Sequence, residues 1–199
     1  MTMNTARIAA KDNAEKGSLS SADWVNAAIN VLVASGVTDL KVERLAATLG
    51  VSKGSFYWHF NNRDDLLDQV LGEWSRVACY DQTRRIDGEE SNPARRLLRF
   101  MLLPLSSERA TRMADLELAI MGWARRDPRA RTALEAVDRS RTANAHALLR
   151  ELGLTEAEAH EGAHEAYAVI RYVSLRRDLP IEDRRKLIVR FHSRITQSD

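Results

Sequence analysis

Apolar residues recur at spacings of three and four along almost the whole chain, and no other feature of the sequence constrains the fold as much. That is the period of one helix face, and no stretch alternates over the length a strand needs. Punctuation is sparse, with 9 glycines and 4 prolines in 199 residues. It falls where the stripes stop, at Gly36, Gly50, Pro104, Pro128, Gly153 and Pro180. Glycine accepts the left-handed turn that ends a helix, and proline cannot continue one. The expected fold class is therefore all-α, with about nine helices.

Helix one starts at Ser20 or Ser21, where Ser20 and Asp23 form a capping-box-like pair. Its stripe is Trp24, Ala27, Ala28, Val31 and Leu32. Helix two, about 42–49, carries Val42, Leu45, Ala46 and Leu49. Gly50-Val51-Ser52 then turns the chain, and Ser52 can cap a short helix over about 53–59. Asn62 caps helix four, whose first turn places Asp64 and Asp65 at the favourable end of the dipole. Helix four is expected to run to about 85.

Two short helices joined by a glycine turn, with a third packed across them, form a helix-turn-helix pattern. Phe56, Tyr57, Trp58 and Phe60 are four of the chain's 12 aromatic residues, so a third of them crowd into this one pattern. Phe56 and Phe60 are four apart and share a face, which is assigned inward. Ser55, Tyr57 and His59 then point outward. Trp58 either packs beneath helix four or leans on a sugar-phosphate backbone. Packing is the expectation, because Trp is usually largely buried. Between 41 and 63 the cations Lys41, Arg44, Lys53 and Arg63 face one anion, Glu43. Formal net charge is only +2, so a nucleic-acid patch has to be local.

The run VERLAATLGVSKGSFYWHFNNRDDLLDQVL, residues 42–71, resembles the tetracycline-repressor-like (TetR-like) family of transcriptional regulators. The shared pattern is a small-residue-rich helix two and Gly-Val-Ser-x-Gly-Ser. An apolar residue, Tyr, two variable residues, Phe, then a basic residue, acids and Leu complete it. The resemblance covers the N-terminal third. It implies a homodimer on a palindromic operator in double-stranded DNA, acting as a repressor released by a small-molecule effector. Carried over by position, Ser52, Lys53, Gly54, Ser55, Tyr57 and His59 face DNA, with Lys41, Arg44, Trp58 and Arg63 beside them. Where the family often has Thr before the helix-two valine, this chain has Lys41.

Three regions are expected: a flexible arm over 1–19, the helix-turn-helix domain over 20–62, and a larger effector-binding and dimerisation domain over 63–199. After a polar break at 87–93, helix five is apolar nearly all round and is ended or kinked by Pro104. Helix six, about 109–126, carries Glu117 four residues from both Met113 and Met121 on an apolar stripe. A lone buried carboxylate needs a partner, and Arg99 or Arg112 is the expected one. The alternative is an anchor in an effector pocket walled by Trp74, Phe100, Met101, Met113, Met121 and Trp123. Helix eight bears the small residues Ala159, Gly162, Ala163 and Ala166. With Ile170, Val173, Phe191 and Ile195 they are assigned to a dimer face.

The rival readings are an enzyme and a helical interaction protein without DNA binding. His160-Glu161-Gly162-Ala163-His164 matches H-E-x-x-H, the pattern of a zinc-dependent hydrolase, or of a regulatory metal site. Short matches without supporting context carry a high false-positive rate, so no enzymatic activity, metal or cofactor is expected. One cysteine, Cys79, excludes an intrachain disulfide and fits a reducing compartment. With no signal-peptide core and no bilayer-length apolar run, the expected location is the cytoplasm, on the nucleoid, and no membrane partner is expected.

Overall fold

The computed structural model describes residues 19–81 and 90–196, and all regular structure among them is helical. Nine α-helices follow in order: α1 Ser21–Ser35, α2 Val42–Leu49, α3 Lys53–Tyr57, α4 Arg63–Arg76, α5 Pro93–Leu102, α6 Glu108–Ala124, α7 Pro128–Glu151, α8 Glu156–Leu175 and α9 Ile181–Thr196. A π turn, Val77–Asp81, extends α4, and a 3-10 turn, Leu103–Leu105, carries Pro104 at the end of α5. The arm expected over 1–19 lies almost wholly outside the described residues, as do the end of helix four and the first three residues of the break at 87–93.

The helix ends form where local chemistry asks for them. Asp23 accepts the Ser20 N–H at 2.8 Å. The Asn62 side chain accepts the Asp65 N–H at 2.9 Å. Thr155 and Glu158 close a full capping box. Gly50 takes φ +69°, a left-handed conformation that a residue with a Cβ adopts at a cost.

The buried apolar residues form two clusters. The first joins α1 through α4 to the middle of α6 and the start of α7, from Trp24 and Leu32 to Leu116, Ile120 and Val137. The second joins α5, the end of α7, α8 and α9. The domain boundary expected at 62/63 therefore crosses a continuous core, because α4 packs on α1 below and on α6 and α7 above. Ionic contacts reinforce this union. Arg129, at the start of α7, reaches Asp64 at 3.2 Å and Asp68 at 3.3 Å on α4. Arg129 also bonds Asp127, and this hydrogen bond holds the Asp127 carboxyl down at about 2.

The small residues of α8 do a different job from the one expected. Ala159, Ala163, Ala166 and Val173 are fully buried, and Gly162, Ile170 and Phe191 nearly so, all within a single chain. A Cβ on Gly162 would lie 2.5 Å from Ile195 Cδ1 and 3.1 Å from Leu149 Cδ1. The stripe lets α7 and α9 approach α8 closely, and side chains already enclosed add almost no area to a contact with a second copy. The residues assigned to a dimer face from the sequence thus pack against other helices of their own chain.

Arg63, assigned to the DNA face from the sequence, also has partners within the chain. Its guanidinium donates to the carbonyls of Leu40 and Val37, each at 2.6 Å, and so ties the α1–α2 connection to the first turn of α4. Hydrogen bonds from a charged donor contribute about 1.5–3 kcal/mol each. Arg63→Ala, which removes both, should therefore lower stability by about 3–6 kcal/mol, seen as an earlier urea midpoint. An unmoved midpoint would mean that water replaces both bonds without loss.

Candidate DNA-binding face and ligand cavity

Helix α3 has five residues, and the chain leaves it two residues sooner than the expected 53–59. The turn that follows keeps Phe60 bonded to the Phe56 carbonyl at 3.0 Å. Phe56 is fully buried, edge-on to Trp24 at 5.3 Å and stacked on Phe60 at 5.1 Å. This three-ring contact fastens α3 to α1 and fixes which way its other residues face. Tyr57 is consequently 56% exposed and Trp58 88%. The packing expected for Trp58 is overturned. With Phe56 and Phe60 both turned inward, the residues just after Phe56 are left on the outer surface.

Around these two rings lie Ser52, Lys53 and Gly54, all exposed, and Ser55 and His59, half-buried. A Cβ on Gly54 would meet only Ser52 Oγ, at 3.6 Å, an ordinary contact. Nothing inside the chain therefore demands glycine there. The cations are held by acids: Lys53 pairs with Glu43, and Arg44 pairs with Asp39 at 3.2 Å. The Glu43 side chain, hydrogen-bonded to Lys53, has its carboxyl pKa held below the usual range. Lys41 is exposed.

Glu117 is 8% exposed and is paired, but not with Arg99 or Arg112. Arg141 of α7 meets both its oxygens, at 2.8 and 2.7 Å, and Arg171 of α8 also pairs with it. Arg171 reaches Asp138 at 2.5 Å, and Tyr167 donates to the same carboxylate at 2.6 Å. Burial is the largest single influence on Arg141 and opposes its charge, but Glu117 and Tyr167 together outweigh it and the pKa is raised. Burial pushes the Tyr167 hydroxyl pKa up. This network was not read from the sequence, although a signal exists. Val137, Arg141, Ala145 and Leu148 share one stripe of α7, so Arg141 interrupts apolar spacing as Glu117 does.

A cavity of about 110 Å³ adjoins this network, between α4, α6, the 3-10 turn after α5, α7 and α8. Of the expected walls, Trp74, Met113 and Glu117 line it. Phe100 and Met101 belong instead to the second core cluster. Trp123 packs in the first cluster, with its Nε1 donating to Asp127 at 3.0 Å. Met121 meets Arg171 through Sδ at 3.1 Å. These four are corrected because the helices present them to neighbours away from the cavity. Ile170, expected at a dimer face, is a cavity wall.

His160 and His164 lie side by side on the exposed face of α8, ring centroids 4.7 Å apart. His164 Nδ1 sits 2.8 Å from the His160 carbonyl. No group of three or more His, Cys, Asp or Glu side chains among the described residues is arranged to hold a metal.

A three-helix unit with an outward aromatic face is joined to a larger helical body that carries a cavity. Residues 25–70 match the family profile "Bacterial regulatory proteins, tetR family". The HTH-type transcriptional regulator SrpR of Pseudomonas putida is 43% identical over 67 residues, 34% of this chain. That stretch spans only 32% of SrpR's own length. A transcriptional regulator from Rhodococcus sp. Rha1 shares the fold, with TM-score 0.74 and 24% identity over 90% of this chain and 97% of the other. FadR from Bacillus subtilis, solved in complex with stearoyl-CoA, does so at TM-score 0.66 and 15% identity, over 89% and 98%.

Proposed function

We propose that this protein is a sequence-specific DNA-binding regulator of transcription that works as a homodimer and is released from a palindromic operator by a small-molecule effector. One observation carries the reading: Tyr57 and Trp58 stand exposed on the outer side of a recognition helix whose other face is locked by Phe56 and Phe60. Aromatic rings left in water are costly unless a partner covers them, and α3 is the element that enters a major groove in such a unit. Ser52, Lys53, Arg44 and Lys41 take phosphates, Ser55 and Tyr57 read base edges, and Trp58 and His59 lie along the backbone. Gly54 leaves room for a strand to approach. Lys53 and Arg44 exchange Glu43 and Asp39 for phosphate oxygens as DNA arrives.

The second copy covers the outer faces of α8 and α9, where Tyr172, Leu175, Leu187 and Val189 are exposed apolar groups. Dimerisation sets the two recognition helices about 34–36 Å apart, one turn of DNA. The effector occupies the cavity behind α4. Because Trp74, Val77 and Ala78 at the end of α4 line that cavity, filling it moves α4, and α3 moves with it through their shared core. FadR's complex with stearoyl-CoA is a precedent for a ligand in this fold. The effector changes operator affinity only by the difference in its own affinity for the two states. No helix among the described residues is long and apolar enough to cross a membrane, which fits work in the cytoplasm on the nucleoid.

The test is binding of the purified protein to inverted repeats in the DNA flanking its gene. Tyr57→Ala should weaken specific binding by about 1–3 kcal/mol, the worth of a base contact. Lys53→Ala should weaken binding to all sequences alike and reduce its salt dependence. Undiminished operator affinity in Tyr57→Ala would place the DNA-reading face elsewhere.

A further inference from the structure

We propose that the effector is a small amphipathic carboxylate, its anionic group held between Arg109 and Arg141 and its apolar body lying against Trp74, Met113 and Ile170. This rests on the reading of the cavity as the effector site and goes further, to the chemistry the cavity selects.

The donors and acceptors of the walls are unequal. Among the described residues Glu117 is the one carboxylate lining the cavity, and its oxygens already accept from Arg141 and Arg171. An ammonium ligand would find that acceptor occupied by two guanidiniums fixed on other helices. Two buried side-chain atoms of the wall residues have no partner among the described residues, and both are donors. Trp74 Nε1 and Arg141 Nε are both buried, both belong to cavity walls, and neither has a hydrogen-bond partner. Buried polar groups are nearly always paired, so a small shift of the walls that turns either N–H toward the cavity would offer it to an incoming acceptor. A carboxylate brings two oxygens with several lone pairs, and a guanidinium is the side chain best shaped to meet it.

The charge of the walls points the same way. Two guanidiniums, Arg109 and Arg141, stand against the single carboxylate of Glu117. Arg109 forms no salt bridge among the described residues, and Glu73, the carboxylate it influences, already pairs with Arg76. Arg109 is exposed at the rim, and Arg141 is buried. An incoming anion thus meets one cation in water and the second inside. Ser106, Ser107 and Ala110 place the N-terminal end of the 17-residue helix α6 on the same wall. Its dipole adds to the attraction for negative charge. The rest of the lining, including Val77, Leu103 and Pro104, is apolar and suits a hydrocarbon or aromatic body.

Purified full-length protein would be titrated by calorimetry with hexanoate, octanoate and phenylacetate, each beside its neutral primary amide, and with octylamine. The expected result is that at least one carboxylate binds, and binds at least tenfold more tightly than its amide, with octylamine weaker still. Arg109→Gln, at the exposed rim, should reduce carboxylate affinity at least tenfold and leave amide binding unchanged. Trp74→Phe, which removes the N–H and keeps the ring, should weaken the carboxylate more than the amide. Helix content and melting of both variants by circular dichroism would confirm that each is folded. The proposal falls if none of the carboxylates binds, if amide or amine binds as tightly, or if Arg109→Gln leaves carboxylate affinity intact. Operator binding without effector would be measured separately by fluorescence anisotropy. Operator binding with no carboxylate binding would sink the ligand class and leave the DNA-binding reading standing. Carboxylate binding without operator binding would uphold the ligand and overturn the regulator.

Discussion

Phe56→Ala should destabilise the DNA-binding unit by about 3–5 kcal/mol, the usual cost of truncating a buried aromatic ring. Phe56 is fully buried between Trp24 and Phe60, so its loss leaves a void that short helices can fill only by moving. The native stability of a domain is about 5–15 kcal/mol, so this one change removes a large share of it. Operator binding should fall far more than for Tyr57→Ala, because the whole recognition surface loses its anchor. Denaturant unfolding followed by near-UV circular dichroism would separate the two effects: Tyr57→Ala should unfold as the parent does, and Phe56→Ala well before it. An unfolding midpoint unchanged in Phe56→Ala would mean that the ring cluster does not hold α3 in place.

Glu117→Leu should be comparably severe, for an electrostatic reason. The side chains of Glu117 and Arg141 are 10% and 11% exposed, and Arg171 shares the same carboxylate. Removing one partner of a buried pair costs about 3–5 kcal/mol, because a charge is left without compensation in a medium that solvates it poorly. The consequence is non-additive. Glu117→Leu combined with Arg141→Met should cost clearly less than the two single changes summed, since the double variant strands fewer charges. Urea unfolding of the four proteins in the cycle measures the coupling directly. Strict additivity would show that Glu117 and Arg141 act independently and that the network is a surface arrangement closed over by chance.

These two residues also mark how far the sequence could be read. The inward placement of Phe56 and Phe60 followed from a spacing of four, which holds in any α-helix. The caps at Ser20, Asn62 and Thr155 followed equally from local rules, since a cap needs only residues three apart. Glu117 was legible as a carboxylate out of place on an apolar stripe, and its need for a cation was legible too. The identity of the cation was not. Arg141 and Arg171 lie 24 and 54 positions further along, on helices whose rotation about their own axes depends on everything packed beneath them. Trp58 was misread for the same reason in miniature. Average burial of Trp is a property of the residue type, whereas its exposure here depends on a helix that ends one residue earlier.

The small-residue stripe of α8 is the clearest division. Ala159, Gly162, Ala163 and Ala166 announce that some helix comes close, because small side chains permit short interaxial distances. Whether that helix belongs to the same chain is not a property of the stripe. The fold supplies α7 and α9, whose Leu149 and Ile195 fill the groove. Periodicity, caps and turns by themselves determined that this chain is helical, where most of its helices begin, and which face of the recognition helix is apolar, because those are interactions between residues within a turn or two of each other. Only the tertiary structure decided which helix faces meet, which cations reach Glu117, and which side chains line the cavity, because those depend on residues brought together from distant parts of the chain.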